Sequence, residues 1–225
     1  MANLLIVRHG ESLANQLNTY TGWSDVPLTT LGRQQARRVG QQIQATGIQF
    51  SHVHTSLLKR AILTSYIILD VTDQLAIPMT KSWRLNERHY GALRGLDKEK
   101  TRAVFGVPQV ARWRRSYTAV PPLLTTFSQA RRYRYIAPNS RPRGESLAQA
   151  EQRLLPYWQD QVVPGLLAGQ DQLIVAHGST LRALIKIIEQ ISDQDIDGVE
   201  VENGEALYYR FDSKMKVSEK RRLTD

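Results

Sequence analysis

The stretch NLLIVRHGES, Asn3 to Ser12, decides the fold class of this chain, and QLIVAHGST, Gln172 to Thr180, repeats its pattern. Each stretch is a short aliphatic run that ends in His-Gly, with a serine close behind. A continuous apolar run of this length is typical of a strand that is buried on both faces of a parallel sheet. We therefore predict two buried strands whose carboxyl ends carry His9 and His177.

Helical patterns alternate with the predicted strands. The elements predicted after the first strand are a helix over Leu31–Ile43 that ends at Gly47, a strand over Phe50–His54, a helix over Leu57–Leu69, a strand over Leu173–Val175, a helix over Leu181–Ile188 and an edge strand over Ala206–Phe211. This alternation predicts an α/β fold with three layers, α/β/α, in which helices cover both faces of a mostly parallel sheet.

The length of 225 residues fits one domain, and we assign residues 1–225 to it, with an inserted segment at about 84–146. The segment breaks the alternation of strands and helices and is rich in proline, arginine and aromatic residues. We expect it to cover one end of the sheet like a cap. A disordered linker is the alternative for residues 125–143.

The composition excludes several classes of protein. The chain has no cysteine, which excludes disulfides, thiolate nucleophiles and cysteine-based zinc sites. No segment approaches the roughly 18 uninterrupted apolar residues that a membrane span needs, and the N-terminus has no signal-peptide pattern. We expect a cytoplasmic protein with no membrane partner.

The net charge of +9 calls for an anionic partner, or else for a solvated basic face without one. Arginines concentrate in the middle third of the chain and near its end. The stretch Arg131–Tyr135 is the basis of a nucleic-acid-binding hypothesis, which rests on charge alone. An acidic membrane surface and small phosphorylated molecules are the other usual anionic partners. We expect the small phosphorylated molecules, and neither nucleic acid nor a membrane.

The two histidines are the first candidates for chemistry, because ligands of open parallel sheets gather at the carboxyl ends of the strands. A zinc or iron site is one alternative, but the Arg8 cation beside His9 would oppose a divalent metal. The same cation favours phosphate, as do the backbone N–H groups expected after each His-Gly step. Arg60 would lie near the same edge unless it is a surface arginine. The pattern therefore favours a phosphate site.

Several short motifs resemble one known family in their order and spacing. They are LLIVRHGES with Asn15, TGWSDVPLT, TSLLKRA, LNERHYGALRGLDK, WRRSY and AHGSTLRAL. The chain thus resembles the phosphoglycerate mutase-like histidine phosphatase superfamily, and within it the 2,3-bisphosphoglycerate-dependent phosphoglycerate mutases. The resemblance runs from residue 3 to about residue 212, with an altered stretch between Leu124 and Ser146, and it implies the phosphoglycerate mutase-like fold.

The resemblance implies that 3-phosphoglycerate and 2-phosphoglycerate interconvert through a phosphohistidine, primed by 2,3-bisphosphoglycerate and without a metal. It makes His9 the nucleophile and Glu87 the general acid and base. It also implies that Arg8, Arg60 and His177 hold the transferring phosphoryl group. Imidazole can accept and return a phosphoryl group, and fixed cations can stabilise the charge on that group during transfer.

The resemblance also implies which residues bind a small phosphorylated carboxylate substrate. They are Ser12, Asn15, Thr21, Gly22, Tyr90, Lys98, Arg114, Arg115, Gly178 and Ser179. A dimer or tetramer is usual for the family, so we expect a homo-oligomer.

A few positions depart from the mutase pattern and keep a second function open. Ser179 stands where mutases usually have asparagine, and Asp97 replaces another asparagine, which would put a carboxylate beside the anion site. Glu145–Ser146 lies in RGES, closer to the phosphatase members, and the longer C-terminal tail of many mutases is absent. A phosphohistidine that is open to water can hydrolyse. The alternative function is therefore a metal-independent phosphomonoesterase with the same nucleophile.

Overall fold

A six-stranded sheet runs through the computed structural model, which describes residues 1–223. The strands are β1 (Ala2–Arg8), β2 (His52–Thr55), β3 (Met79–Lys81), β4 (Gln172–Ala176), β5 (Ala206–Phe211) and β6 (Val217–Arg222). The helices are α1 (Leu13–Gln16), α2 (Thr30–Thr46), α3 (Lys59–Val71), α4 (Lys98–Phe105), α5 (Val107–Arg115), α6 (Leu147–Tyr157), α7 (Val163–Leu167) and α8 (Gly178–Glu189). None of the helices within these 223 residues is long and apolar enough to cross a bilayer.

The strand order is β3-β2-β4-β1-β5-β6, parallel from β3 to β1 and antiparallel beyond β1. Arg8 on β1 lies opposite Ala176 on β4, so His9 and His177 leave the sheet side by side. The predicted mostly parallel α/β sheet is confirmed. The prediction that Ala206–Phe211 forms an edge strand is wrong, because β6 pairs along its outer side. Val217–Arg222 has a single apolar residue and therefore no buried-strand pattern.

The buried strands explain the three layers. Leu4 and Ile6 of β1 contribute to a core with α6 and α8, whereas Leu5 and Val7 contribute to a second core with α2 and α3. Successive side chains of a strand point to opposite faces, so a strand with helices on both sides is apolar at every position. All four side chains are completely buried, and burial of each contributes roughly 1.5–3 kcal/mol. The predicted α/β/α arrangement is confirmed.

Local signals set the bounds of α2. The Thr29 side chain accepts a hydrogen bond from the Gly32 N–H at 3.0 Å and caps the first turn. Gly47 ends the helix with a φ of 70°, as predicted, because glycine adopts this left-handed conformation without steric cost. Ala36 and Val39 of the predicted apolar face are buried. Leu31 is exposed, so its assignment to that face is wrong.

Residues 84–146 contain α4, α5 and several short 3-10 helices. Contacts within 125–143 favour a packed segment over a disordered linker. Tyr133 is 1% exposed, and its hydroxyl oxygen accepts a hydrogen bond from Asn86 Nδ2 at 3.1 Å. Arg141 donates through Nε to the Ile136 carbonyl at 2.9 Å. Because Tyr133 is buried, it is not available to stack on a nucleic-acid base. The single domain with a cap-like insertion stays a prediction.

Candidate active site

His9 is held directly after β1 by hydrogen bonds to its backbone and its ring. Its backbone N–H donates to the Ala176 carbonyl at 3.1 Å, and Asn203 Nδ2 donates to its carbonyl at 3.0 Å. Ring atom Nδ1 lies 2.6 Å from the Gly10 carbonyl oxygen, and Arg60 Nε donates to Nε2 at 3.2 Å. A carbonyl oxygen can only accept, so the ring proton is on Nδ1. Nε2 is therefore the unprotonated nitrogen. Its lone pair accepts from Arg60 in this structure, and it could attack phosphorus once Arg60 gave that hydrogen bond to a phosphoryl oxygen.

The surroundings keep the His9 ring neutral. Burial lowers the pKa of His9 well below its usual value, and the nearby cations Arg60 and Arg8 lower it further, although the hydrogen bond to Gly10 acts in the opposite direction. The residue is 3% exposed. A neutral imidazole is the form that acts as a nucleophile, so His9 is in the required form at physiological pH.

Two glycines let the His9 loop approach α2. A Cβ on Gly10 would lie 2.0 Å from the Gly32 carbonyl oxygen, and a Cβ on Gly32 would lie 2.0 Å from the Glu11 carbonyl oxygen. The Gly10 N–H donates to Thr64 Oγ1 of α3 at 3.2 Å. The backbone beside the nucleophile is therefore in direct contact with both helices on this face, and neither glycine can be replaced without moving it.

His177 lies beside His9 and precedes α8. The two ring centroids are 5.0 Å apart, and His177 is completely buried. Its Nε2 lies 2.8 Å from Ser56 Oγ, whereas its Nδ1 is buried and has no hydrogen-bond partner among the described residues. Burial lowers the pKa of His177 well below its usual value, and Arg60 lowers it further. Ser56 Oγ already accepts from the Leu58 N–H at 3.1 Å, so we assign it as the donor to His177 Nε2, which leaves the ring proton on Nδ1.

Arg60 is not a surface residue, since it is 1% exposed. Its guanidinium is held in place by the carbonyls of Ser24, at 2.7 Å from Nη1, and Gly22, at 3.0 Å from Nη2. Burial lowers the pKa of Arg60 to about 10, so it stays a cation at physiological pH. Three fixed hydrogen bonds, including the one to His9, make it a preorganised charge beside the nucleophile.

Arg8 approaches the same place from β1. Its Nη1 donates to the Val201 carbonyl at 2.7 Å, and its Nε is buried without a partner among the described residues. Buried donors are almost always satisfied, so an unpaired one calls for an explanation. Arg8 Nε and His177 Nδ1 are two such donors, at the carboxyl ends of the neighbouring strands β1 and β4. An oxyanion beside His9 would accept from both.

Glu87 is positioned by backbone N–H groups. Its Oε1 accepts from the N–H of Arg88 at 2.8 Å and from the N–H of Ser179, on the first turn of α8, at 3.2 Å. Its own carbonyl accepts from Trp23 Nε1 at 2.7 Å. The Ser179 contact uses the backbone and does not need the asparagine amide found in mutases.

A buried ion pair supports the Glu87 loop. Arg153 Nε donates to Glu145 Oε1 at 2.6 Å, and each side chain is 5% exposed. Glu145 Oε2 accepts from the His89 N–H at 2.8 Å, and Arg153 donates to the carbonyls of Asn86 and Glu87 at 3.1 and 3.4 Å. The glutamate of RGES therefore orders the NERH loop, a role that the sequence did not reveal.

A cavity of about 180 Å³ opens beside these residues. Of the predicted site residues, those that line it are Arg8, Asn15, Thr21, Glu87, Tyr90, Lys98, Arg114, Arg115, Gly178 and Ser179. His9, Arg60 and His177 are buried next to this lining and do not belong to it. The structure thus brings residues from β1, α4, α5 and α8 together around one cavity.

Ser12 and Gly22 lie outside the cavity lining and act on neighbours. Ser12 Oγ donates to Asn15 Oδ1 at 2.7 Å and caps α1, which orients the Asn15 amide. Gly22, with a φ of 49°, places its carbonyl against Arg60. The expectation that Asp97 puts a carboxylate beside the anion site is wrong. Asp97 Oδ1 caps α4 by accepting from the Lys100 N–H at 2.8 Å, and Asp97 does not line the cavity.

Some lining residues were missing from the predicted site. They are Thr19, Tyr20, Arg182, Glu200, Val201 and Glu202. Arg182 could have been found from the sequence, because a charged residue within the apolar stripe of α8 indicates a functional position. No pattern in the sequence indicated that Glu200–Glu202 belong to the site. They precede β5, and only the pairing of β5 with β1 brings them to the cavity.

The cavity has a surplus of positive charge. We call Lys98, Arg114 and Arg115 the cation group. Burial lowers the pKa of Lys98, and the neighbouring Arg114 lowers it further. Such crowding of like charges favours an anionic ligand. Within residues 1–223, no group of three or more histidine, aspartate or glutamate side chains is arranged to hold a metal ion.

Comparisons with known proteins agree with this geometry. The family model of the histidine phosphatase superfamily (branch 1) matches residues 4–136 and 127–223. A 2,3-bisphosphoglycerate-dependent phosphoglycerate mutase 1 of Latilactobacillus sakei subsp. sakei is 79% identical over 223 residues, which cover 99% of this chain and 95% of that protein. A 2,3-bisphosphoglycerate-dependent phosphoglycerate mutase 2 of Lactobacillus johnsonii is 52% identical and covers 98% and 96%.

Solved structures show the same fold at low sequence identity. YhfR of Bacillus stearothermophilus superposes with a TM-score of 0.75 at 24% identity, covering 96% of this chain and 94% of that one. The alpha-ribazole phosphatase of Shigella flexneri gives 0.73 at 21% identity, covering 99% and 96%. Identity at this level supports the fold alone. Because the family model matches this chain along nearly all of its residues and the relatives are highly identical, the chain belongs to the histidine phosphatase superfamily (branch 1), and within it to the 2,3-bisphosphoglycerate-dependent phosphoglycerate mutase family.

Proposed function

We infer that this chain interconverts 3-phosphoglycerate and 2-phosphoglycerate through a phosphohistidine, primed by 2,3-bisphosphoglycerate. The names of full-length relatives support this function. The site observation that carries it is a pair of candidate anion positions, one beside the cavity and one in its wall. The first surrounds His9, where Arg8 Nε and His177 Nδ1 are buried and unpaired among the described residues. The second is the cation group in the cavity wall.

Two anion positions fit the proposed primer and both phosphoglycerates. The primer carries two phosphates and a carboxylate, so one phosphate can lie at His9 while the other anions contact the cation group. A phosphoglycerate brings one phosphate and one carboxylate. When bound, 2,3-bisphosphoglycerate supplies the phosphoryl group that His9 stores between turnovers.

We assign the transfer step to His9. Its Nε2 lone pair forms the bond to phosphorus while the bond from phosphorus to the ester oxygen breaks. Arg8 and Arg60 stabilise the charge on the phosphoryl oxygens, and His177 donates to them from Nδ1. Glu87 delivers a proton to the departing oxygen and takes one from the attacking hydroxyl in the reverse step. In each turnover the primed His9 first gives its phosphoryl group to the free hydroxyl of the phosphoglycerate, which forms the bisphosphate. It then takes the phosphoryl group from the other oxygen, so that the isomer leaves and the phosphohistidine is restored.

We propose these roles together with the binding of the substrate by Asn15, Tyr90 and the cation group. A homo-oligomer and a cytoplasmic location also belong to the proposal, by analogy with the family.

The test measures isomerisation and hydrolysis together. The protein is incubated with 3-phosphoglycerate, a catalytic amount of 2,3-bisphosphoglycerate and a chelator, and 2-phosphoglycerate and free phosphate are followed separately. We expect 2-phosphoglycerate with little free phosphate. Release of phosphate without isomerisation would replace the proposal with the phosphomonoesterase alternative. Loss of activity in the chelator would contradict a metal-free mechanism.

A pair of variants tests the nucleophile. His9→Ala should lose at least about a thousandfold in kcat and should take up no acid-labile label from 32P-labelled 2,3-bisphosphoglycerate. His52→Gln is the matched control, because His52 is a partly buried histidine that bonds to Thr80 and lies outside the cavity lining. It should keep both properties. Labelling of His9→Ala at the unaltered level would remove His9 from the mechanism.

A further inference from the structure

Glu200 is a carboxylate in the wall of a cavity that is built for anions. It follows the 3-10 turn Asp195–Gly198 and lies beside the end of α5. Arg115 Nη2 donates a hydrogen bond to Glu200 Oε1, and Arg115 Nε lies 3.8 Å from Asp197 Oδ1. The hydrogen bond from Arg115 lowers the pKa of Glu200, and the positive charges of Arg115, Arg182 and Arg114 lower it further. The charged carboxylate thus lies beside Arg115 and near Arg114, which we assign to substrate binding.

This ion pair contributes little to the fold. The Arg115 and Glu200 side chains are 39% and 61% exposed, and exposed pairs stabilise proteins only weakly. The pair differs in this respect from Glu145–Arg153, which is buried and organises a loop. Its position in the cavity wall is the feature that calls for an explanation.

The Arg115 guanidinium cannot give the same N–H group to Glu200 and to a bound anion. Without ligand, Glu200 partly neutralises the cation group. A ligand with a second anionic group competes with Glu200 for Arg115, whereas a ligand with a single phosphate at His9 leaves the pair intact and meets an additional negative charge in the cavity. Glu200 therefore weakens the binding of both kinds of ligand, but only a ligand with a second anionic group can displace it from Arg115.

We propose that Glu200 is an internal counter-ion of Arg115 and a determinant of ligand specificity, which the carboxylate or second phosphate of the substrate displaces on binding. This inference rests on the proposed function, because it takes the phosphoglycerates and their bisphosphate as the ligands. Beyond that function, it assigns to Glu200 the role of lowering the affinity of the site for these ligands.

The experiment compares Glu200→Gln with Glu202→Gln. Both substitutions remove one negative charge from the same cavity wall. Glu202 has no ion pair among residues 1–223, so its variant controls for the general change in electric field. Calorimetry measures the Kd of two matched ligands, 3-phosphoglycerate and glycerol 3-phosphate, which has a hydroxymethyl group in place of the carboxylate.

We expect Glu200→Gln to lower the Kd of 3-phosphoglycerate about threefold to fivefold, the effect of releasing one exposed ion pair. The Kd of glycerol 3-phosphate should change less, and Glu202→Gln should change neither by as much. In turnover, KM should fall in Glu200→Gln without a rise in kcat. The thermal midpoint should stay the same because the pair is exposed.

Two results would overturn the inference alone. An equal fall of the 3-phosphoglycerate Kd in both variants would indicate a general effect of the lost negative charge. Weaker binding of 3-phosphoglycerate to Glu200→Gln would indicate that Glu200 positions Arg115 for the ligand. If the unaltered protein bound no 3-phosphoglycerate, the proposed function would fail and this inference with it.

Discussion

Protonation of His54 should make the fold sensitive to acid. His54 is 2% exposed and lies between Tyr157 Oη, 2.9 Å from Nδ1, and Gln172 Oε1, 2.7 Å from Nε2. The amide oxygen accepts from Nε2–H, so Nδ1 accepts from the tyrosine hydroxyl, and an added proton on Nδ1 would break that arrangement. Burial lowers the pKa of His54 to about 4, and His52 contributes to this, although the Gln172 hydrogen bond opposes it.

The size of the stability loss follows from the thermodynamic linkage between proton binding and folding. The pKa of an unfolded histidine is near 6.5. Between about pH 6.5 and pH 4, His54 is therefore protonated in the unfolded chain and neutral in the folded protein. Stability therefore falls as the pH drops through this window. Between pH 7 and pH 5 the loss from His54 alone is about 2 kcal/mol.

Urea unfolding followed by tryptophan fluorescence at pH 7 and pH 5 measures this loss. His54→Gln removes the titrating ring, so its free energy of unfolding should fall about 2 kcal/mol less over this interval than that of the unaltered protein. His52→Gln is the control, because His52 is only partly buried and should change the pH dependence less. An identical pH dependence in His54→Gln and the unaltered protein would refute the reasoning.

Two further substitutions test the packing around the site. Gly32→Ala places a methyl group 2.0 Å from the Glu11 carbonyl, so it should destabilise the protein by roughly 1–3 kcal/mol and lower kcat, whereas Gly198→Ala, with open space around it, should do neither. Thermal denaturation and the isomerase assay check both, and an unchanged midpoint in Gly32→Ala would contradict the close contact. Arg153→Met leaves the buried Glu145 carboxylate unpaired and should cost about 3–5 kcal/mol in urea unfolding. Adding Glu145→Gln should recover part of that loss, and a loss below about 1 kcal/mol in the single variant would show that the pair is not buried in solution.

Much of the fold could be predicted because its signals are local. The apolar run Leu4–Val7 indicates burial on both faces of a sheet, and Gly47 marks the end of α2 by its backbone conformation. The residues around β6 show the opposite case. Val217–Arg222 is mostly charged and becomes a strand because β5 offers a free edge for pairing.

The site was predicted to the extent that its residues lie in short motifs. His9 and Arg60 were identified from their positions after predicted strands, and Glu87 was identified through the family resemblance. Asp97 shows the limit of such a transfer, because its side chain caps a helix and does not face the cavity.

The sequence by itself determined the α/β class, the two histidines at strand ends and the family. Each depends on residues close together in the chain, where periodicity and motifs can be recognised. The tertiary structure alone decided that Glu145 and Arg153 order the Glu87 loop and that Glu200 lies against Arg115. Glu145 and Arg153 are close in the chain, but the Glu87 loop that they contact is not, and neither is Arg115 close to Glu200. These long-range contacts depend on strand pairing and helix packing, which no local pattern encodes.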